Sequence, residues 1–148
     1  MKLLLVNQAP RDRVPGKWLG RWLRALSLEL KRRRLASLGR AELVCVFVNS
    51  AEMRRLNAQF RGKNYATDVL SFQTGDPSCV GELVLCLPVL RAQAKRMGLS
   101  ERGELGYMVV HGVLHLLGFD HESREGEIEM FALQDSVFAA VESKVGYR

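Results

Sequence analysis

Leu19, Trp22, Leu23, Leu26 and Leu30 recur at helical spacing behind Pro15, a residue whose missing N–H is harmless in the first turn of a helix. The pattern predicts a long helix from about Pro15, with Gly39 suited to its C-terminal cap. Arg21, Arg24, Lys31, Arg32, Arg33 and Arg34 form its basic surface. Lys2 to Asn7 reads as a short strand, and Glu42 to Asn49 is β-branched and apolar enough for a buried one. Asn49 followed by Glu52 has the form of a capping box, opening a helix with Met53, Leu56 and Phe60 on its inner side and Gly62 as its stop. Asp68 to Phe72 and Val80 to Cys86 are two further strands, separated by the turn residues Gly75-Asp76-Pro77-Ser78. Pro88 and Gly98 bracket another helix, and Ser100 caps one that runs to about Leu117. A last helix spans Glu122 to about Glu142, with Ile128, Phe131, Val137, Phe138 and Val141 facing inward. Strands and helices mix, which predicts an α/β or α+β fold with about four strands and five helices.

With 148 residues, of which 47% are hydrophobic and 26% charged, the chain has the length of one domain spanning 1–148 and enough apolar content for a core. Its apolar runs are too short for a membrane helix, and the brief Leu3-Leu4-Leu5-Val6 stretch is too small for a signal-peptide core. Cys45, Cys79 and Cys86 are an odd number without CxxC spacing, so they read as free thiols of a reducing cytoplasm. Net charge is +6, unevenly spread: residues 1–40 hold eleven cations against Asp12 and Glu29, a local net of +9. Such asymmetry fits a polyanionic partner, with Arg32, Arg33 and Arg34 as candidate phosphate contacts; a solvated helix face is the plainer account.

All three histidines fall within HGVLHLLGFDH, residues 111–121. On a helix His111 and His115 share one face. Gly118 lets the chain turn, so that Phe119, Asp120 and His121 can return a third imidazole to the same point. Three imidazoles around one Zn²⁺ leave a fourth tetrahedral position open, the arrangement of a catalytic site. The spacing is similar to that of metzincin metallopeptidases, but their catalytic glutamate follows the first histidine, where this chain has Gly112.

HGVLHLLGFDH resembles instead the signature of the YbeY family of metal-dependent endoribonucleases, the rRNA maturation factors. Leu56-Asn57, then Phe60-Arg61-Gly62-Lys63 and Thr67-Asp68-Val69-Leu70-Ser71-Phe72, resemble its second conserved block, and Gly81 to Cys86 its third. Gln73 stands where the family usually has proline and Glu82 where it usually has aspartate. The resemblance implies a single zincin-like domain and one zinc held by His111, His115 and His121. It also implies Arg61 as the catalytic arginine, and RNA hydrolysis in maturation of the 3′ end of small-subunit ribosomal RNA, with the ribosome as partner. A guanidinium suits that role because it can grip two phosphate oxygens at once; the alternatives for Arg61 are a helix-terminal cation or a partner for Asp68. No general base stands out. Asp120 and Glu104 are candidates to orient an imidazole, and the role of Glu82 is open. A peptidase with an unusual base and a non-catalytic ribosome-associated module are the competing readings.

Overall fold

The computed structural model describes residues 1–119 and 123–148. Four strands form one mixed sheet in the order β1-β2-β4-β3, where β1 is Lys2–Asn7, β2 Glu42–Phe47, β3 Val69–Phe72 and β4 Cys79–Leu85. β1, β2 and β4 run parallel, and the short β3 pairs antiparallel with β4 to form an edge. Five helices complete the described residues: α1 Gly16–Arg32, α2 Ser50–Arg61, α3 Leu87–Met97, α4 Glu101–Leu116 and α5 Arg124–Val145. Among them, no helix is long and apolar enough to cross a membrane.

Alternation along the strands divides the interior into two cores. Leu43, Cys45 and Phe47 of β2 and Leu83 and Leu85 of β4 point to one face, where they meet α1, α4 and α5. Val46 and Val84 point to the other, against Met53 of α2 and Leu70 of β3. α4 is apolar nearly all round, with Leu105, Val109, Val110, Val113 and Leu114 buried, because it lies among α1, α3, α5 and the sheet. Two glycines let it approach so closely. A Cβ on Gly106 would lie 2.6 Å from the Trp22 ring, and one on Gly112 would lie 2.6 Å from Leu83 Cδ2.

Local signals place most of the element ends. Asn49 Oδ1 accepts from the Glu52 N–H at 2.8 Å, and Ser100 Oγ accepts from the Gly103 N–H at 2.9 Å. Gly62 and Gly98 close α2 and α3 in left-handed conformations. α1 departs from expectation. It stops at Arg32, and Gly39 lies beyond it in the following loop. Arg34 takes the left-handed position instead (φ 59°), while Leu35 N–H reaches back to Leu30 C=O at 2.9 Å and Arg34 N–H to Lys31 C=O at 3.0 Å. This is a Schellman closure whose driving contact is Leu35 folding back onto the core.

Three inward assignments are also revised. Phe60 of α2 is 56% exposed, and Ile128 and Phe131 of α5 lie on the surface. The inner stripe of α5 runs instead through Met130, Gln134, Val137 and Val141, the spacing of one helical face. Cys45 and Cys86 are buried, as the apolar runs around them predict, and burial pushes the Cys45 thiol up to about 12.

Arg32 and Arg33 have an internal partner. Glu29 is 1% exposed, and its carboxylate accepts from Arg32 Nη2 at 2.6 Å and from Arg33 Nε at 2.7 Å, with Lys144 Nζ of α5 at 3.8 Å. Arg33 also donates to Ser136 Oγ of α5 at 2.8 Å. Both guanidiniums therefore serve first to neutralise a buried acid, and Arg33 also joins α1 to α5. Arg34 remains exposed in the closing turn.

Candidate functional site

His111 and His115 are one turn apart on α4, half-buried, with ring centroids 4.7 Å apart and planes at 68°. A helix as closely packed as α4 gives them a rigid base. His111 Nδ1 lies 2.9 Å from Gln134 Oε1 of α5. With a carbonyl oxygen as acceptor, Nδ1 carries the proton and the Nε2 lone pair is left for a cation. Gln134 is the site residue that sequence reasoning missed. Its signal was a polar position inside the otherwise apolar stripe Met130, Val137, Val141.

Gly112 lies against Leu83 of the sheet, about a quarter-turn round the helix from its neighbouring histidine. A side chain there, glutamate included, would start 2.6 Å from Leu83 Cδ2, so the position of a metzincin base has no room for one here. Gly118 has φ 95°, the left-handed turn that ends α4. His121 and Asp120 lie outside the described residues.

The opposite wall comes from the end of α2 and from β3. Phe60, Arg61, Lys63, Asp68 and the β3 residues Val69–Phe72 join His111 and His115 around a cleft of about 540 Å³. Arg61 ends α2, and the left-handed Gly62 turns the chain so that Lys63 follows on the same rim. Asn57, fully buried, donates to Tyr65 C=O at 2.8 Å and pins the loop between α2 and β3. Among the described residues Arg61 enters no ion pair. The alternative of an Arg61–Asp68 pair is not realised: Asp68 Oδ1 accepts from the Val69 N–H at 2.7 Å and from Thr67 Oγ1 at 3.2 Å, and Oδ2 from Gln93 Nε2 at 3.4 Å.

Two other candidates fall elsewhere. Glu104, one stripe below His111, is 4% exposed and does not hold the imidazole; its Oε2 has no hydrogen-bond partner, and burial together with the nearby Asp68 raises its pKa. Glu82 points away from α4, because it alternates with Gly81 and Leu83, which face that helix. It lines a separate cleft of about 350 Å³ under α2, with Gln8, Val46, Leu56, Phe60 and Phe72. Among the described residues only Phe60 and Phe72 border both clefts, their rings meeting edge to face at 5.1 Å.

Among the described residues no three metal-ligating side chains converge, so the geometry tests two of the three expected zinc ligands. Those two fit. They are imidazoles on one helix face, one of them with its tautomer held by a buried acceptor, and imidazole is a donor well matched to Zn²⁺.

The endoribonuclease YbeY family model matches residues 7–142. A protein named endoribonuclease YbeY from Bdellovibrio bacteriovorus is 48% identical over 148 residues, covering 98% of both chains. Another of that name from Alkalilimnicola ehrlichii is 36% identical, covering 97% of this chain and 95% of its own. The solution structure of a protein from Thermotoga maritima superposes with a TM-score of 0.68 at 27% identity, covering 96% of this chain and 90% of that one. With a family model spanning nearly the whole sequence and a near full-length relative at almost half identity, the chain belongs to the endoribonuclease YbeY family.

Proposed function

We propose that this protein is a zinc-dependent endoribonuclease that cuts single-stranded RNA, acting in the cytoplasm on the 3′ end of 16S ribosomal RNA in maturation and quality control of the small ribosomal subunit. The observation that carries the reading is the meeting, in one cleft, of Arg61 and Lys63 with the imidazoles of His111 and His115. Two cations sharing a cleft with two imidazoles suit a phosphodiester far better than a neutral peptide bond.

His111, His115 and His121 would hold the zinc, which supplies a Lewis acid able to lower the pKa of water and offset phosphate charge. The chain's own groups divide the remaining work. Arg61 can donate two parallel N–H groups to the non-bridging oxygens and stabilise the extra negative charge that develops on them in the transition state. Lys63 adds a compact point charge at the rim. Gln134 keeps the His111 ring oriented with Nε2 free. Asp68 has both oxygens engaged by the loop and by Gln93, so its role is to shape the wall.

The peptidase reading loses its main support, since the position of its base is packed against Leu83. The test uses protein of verified zinc content and a precursor RNA carrying the 3′ extension of 16S rRNA, free and in assembled small subunits. Wild type cuts it. His115→Ala loses zinc and cutting together; Arg61→Glu keeps zinc and loses cutting. Zinc-loaded wild type that binds small subunits yet cuts neither substrate would favour the non-catalytic module. Cleavage of casein but not of RNA would restore the peptidase.

A further inference from the structure

The exposed Phe60 ring needs an explanation. A large aromatic at helical spacing with Met53 and Leu56 belongs inside, yet it stands 56% exposed on the ridge between two clefts, braced edge to face by Phe72. The two sides of this ridge differ in chemistry. On one side are Arg61, Lys63 and the histidines. On the other is the 350 Å³ cleft with apolar walls from Val46, Val84 and Leu56, the Gln8 amide at its edge and two carboxylates, Glu52 and Glu82. Glu52 is taken: Arg55 holds both of its oxygens, at 2.6 and 2.9 Å. The Glu82 carboxylate, on a residue whose backbone pairs with Val44 and Phe72 in the sheet, makes no hydrogen bond or ion pair among the described residues.

We infer that the cleft beyond the ridge is a nucleobase subsite, in which an unstacked guanine next to the cut phosphate lies against Phe60 and presents its Watson–Crick edge to Glu82. The inference rests on the proposed RNA substrate and names the part of it that this second cleft recognises. A free carboxylate repels the phosphate backbone, so the backbone belongs on the arginine side and what crosses the ridge is a base. Every base has a π-face for an aromatic ring, which makes Phe60 a general grip. Selection falls to Glu82, an acceptor without donors. Guanine alone offers a carboxylate two adjacent N–H donors, N1–H and N2–H, in the bidentate geometry that makes such pairs strong. Cytosine and adenine offer one amino group, and uracil sets its single N3–H between two repelling carbonyls. The volume holds one base with room for solvent, not a folded element of another protein.

The test measures binding, independent of cleavage. Fluorescence anisotropy is read with 2′-O-methyl heptanucleotides, one of seven uridines and a set with one guanosine moved along it, on zinc-verified full-length protein. Wild type binds the best-placed guanosine probe about ten-fold more tightly than the uridine probe. Glu82→Gln brings that ratio close to one, whereas Glu82→Asp, which keeps the carboxylate, preserves it. Phe60→Ala weakens both probes about ten-fold or more with zinc content unchanged. Zinc content and thermal midpoint show that each variant is folded. Equal wild-type affinity for all probes, or an undiminished ratio in Glu82→Gln, overturns the subsite. If those results come with intact cleavage of the precursor RNA, the subsite alone has failed. If wild type binds none of the probes and cuts no RNA, the proposed function fails with it.

Discussion

Gly112 and Leu83 offer a sharp test of how α4 is seated. A Cβ at 112 would lie 2.6 Å from Leu83 Cδ2 and 3.1 Å from Cδ1, where ordinary contact begins near 3.4 Å. Gly112→Ala must therefore push the histidine helix from the sheet or force Leu83 off its rotamer, an overpacking cost of about 1–3 kcal/mol. Alanine returns about 1 kcal/mol through its helix propensity, leaving a net loss of about 1 kcal/mol. Leu83→Ala alone empties a fully buried position and costs about 2–5 kcal/mol. With the leucine gone the clash is gone, so Gly112→Ala in that background stabilises by about 1 kcal/mol. The sign of the same substitution reverses, and the coupling energy is about 2 kcal/mol. Urea unfolding of the four proteins at one temperature, zinc removed by chelator, reads this directly if the denaturant slopes agree. A substitution at 112 with the same sign in both backgrounds would refute the close-approach argument.

Four further outcomes are expected. Gln134→Leu removes the acceptor that orients His111 and weakens zinc binding about 10–100-fold in competition with a chromophoric chelator, whereas Gln134→Glu retains or tightens it. Arg61→Lys keeps the charge but loses the paired donors, so RNA cleavage falls at least about ten-fold with zinc content unchanged. Hydrogen bonds from Arg32 and Arg33 lower the Glu29 carboxyl from 4.5 to about 2. The stability it contributes is thus present above pH 4.5 and lost as pH falls toward 2; Glu29→Gln should lower the thermal midpoint at pH 7 and flatten its decline across that window. Finally, a thiol reagent on the native protein should modify the half-exposed Cys79 while Cys45, held protonated by burial, reacts only on unfolding.

What was legible in the sequence follows the range of the interactions concerned. β1, the caps at Asn49 and Ser100, the Pro88 and Gly98 bracket and the turn at Gly118 depend on neighbours within a few residues, and they stand where the pattern puts them. The placing of His111 and His115 on one helix face is of the same kind. The shape of the site is not. Gln134 reaches His111 from 23 residues away, and only the crossing of α4 and α5 brings them together. Arg32 and Arg33 read as free surface charge because Glu29 sits on the same turn of the helix, and nothing in its spacing shows that it is buried. α1 ends short of Gly39 because an arginine, not a glycine, takes the left-handed position, held there by Leu35. Phe60 kept an inward spacing but met a cleft instead of a core.

β3 is only four residues long, yet its first two side chains go to different cores: Val69 to the one that carries the histidine helix, Leu70 to the one that carries α2 and Arg61. The strand is thus the gauge that sets the width of the gap between imidazole and guanidinium. A change of volume at Leu70 or Met53 acts on that gap from the arginine side. On the proposed function, metal binding and phosphate placement therefore lean on different buried contacts, Gly112 on Leu83 behind the histidines and Met53 with Leu70 behind the arginine.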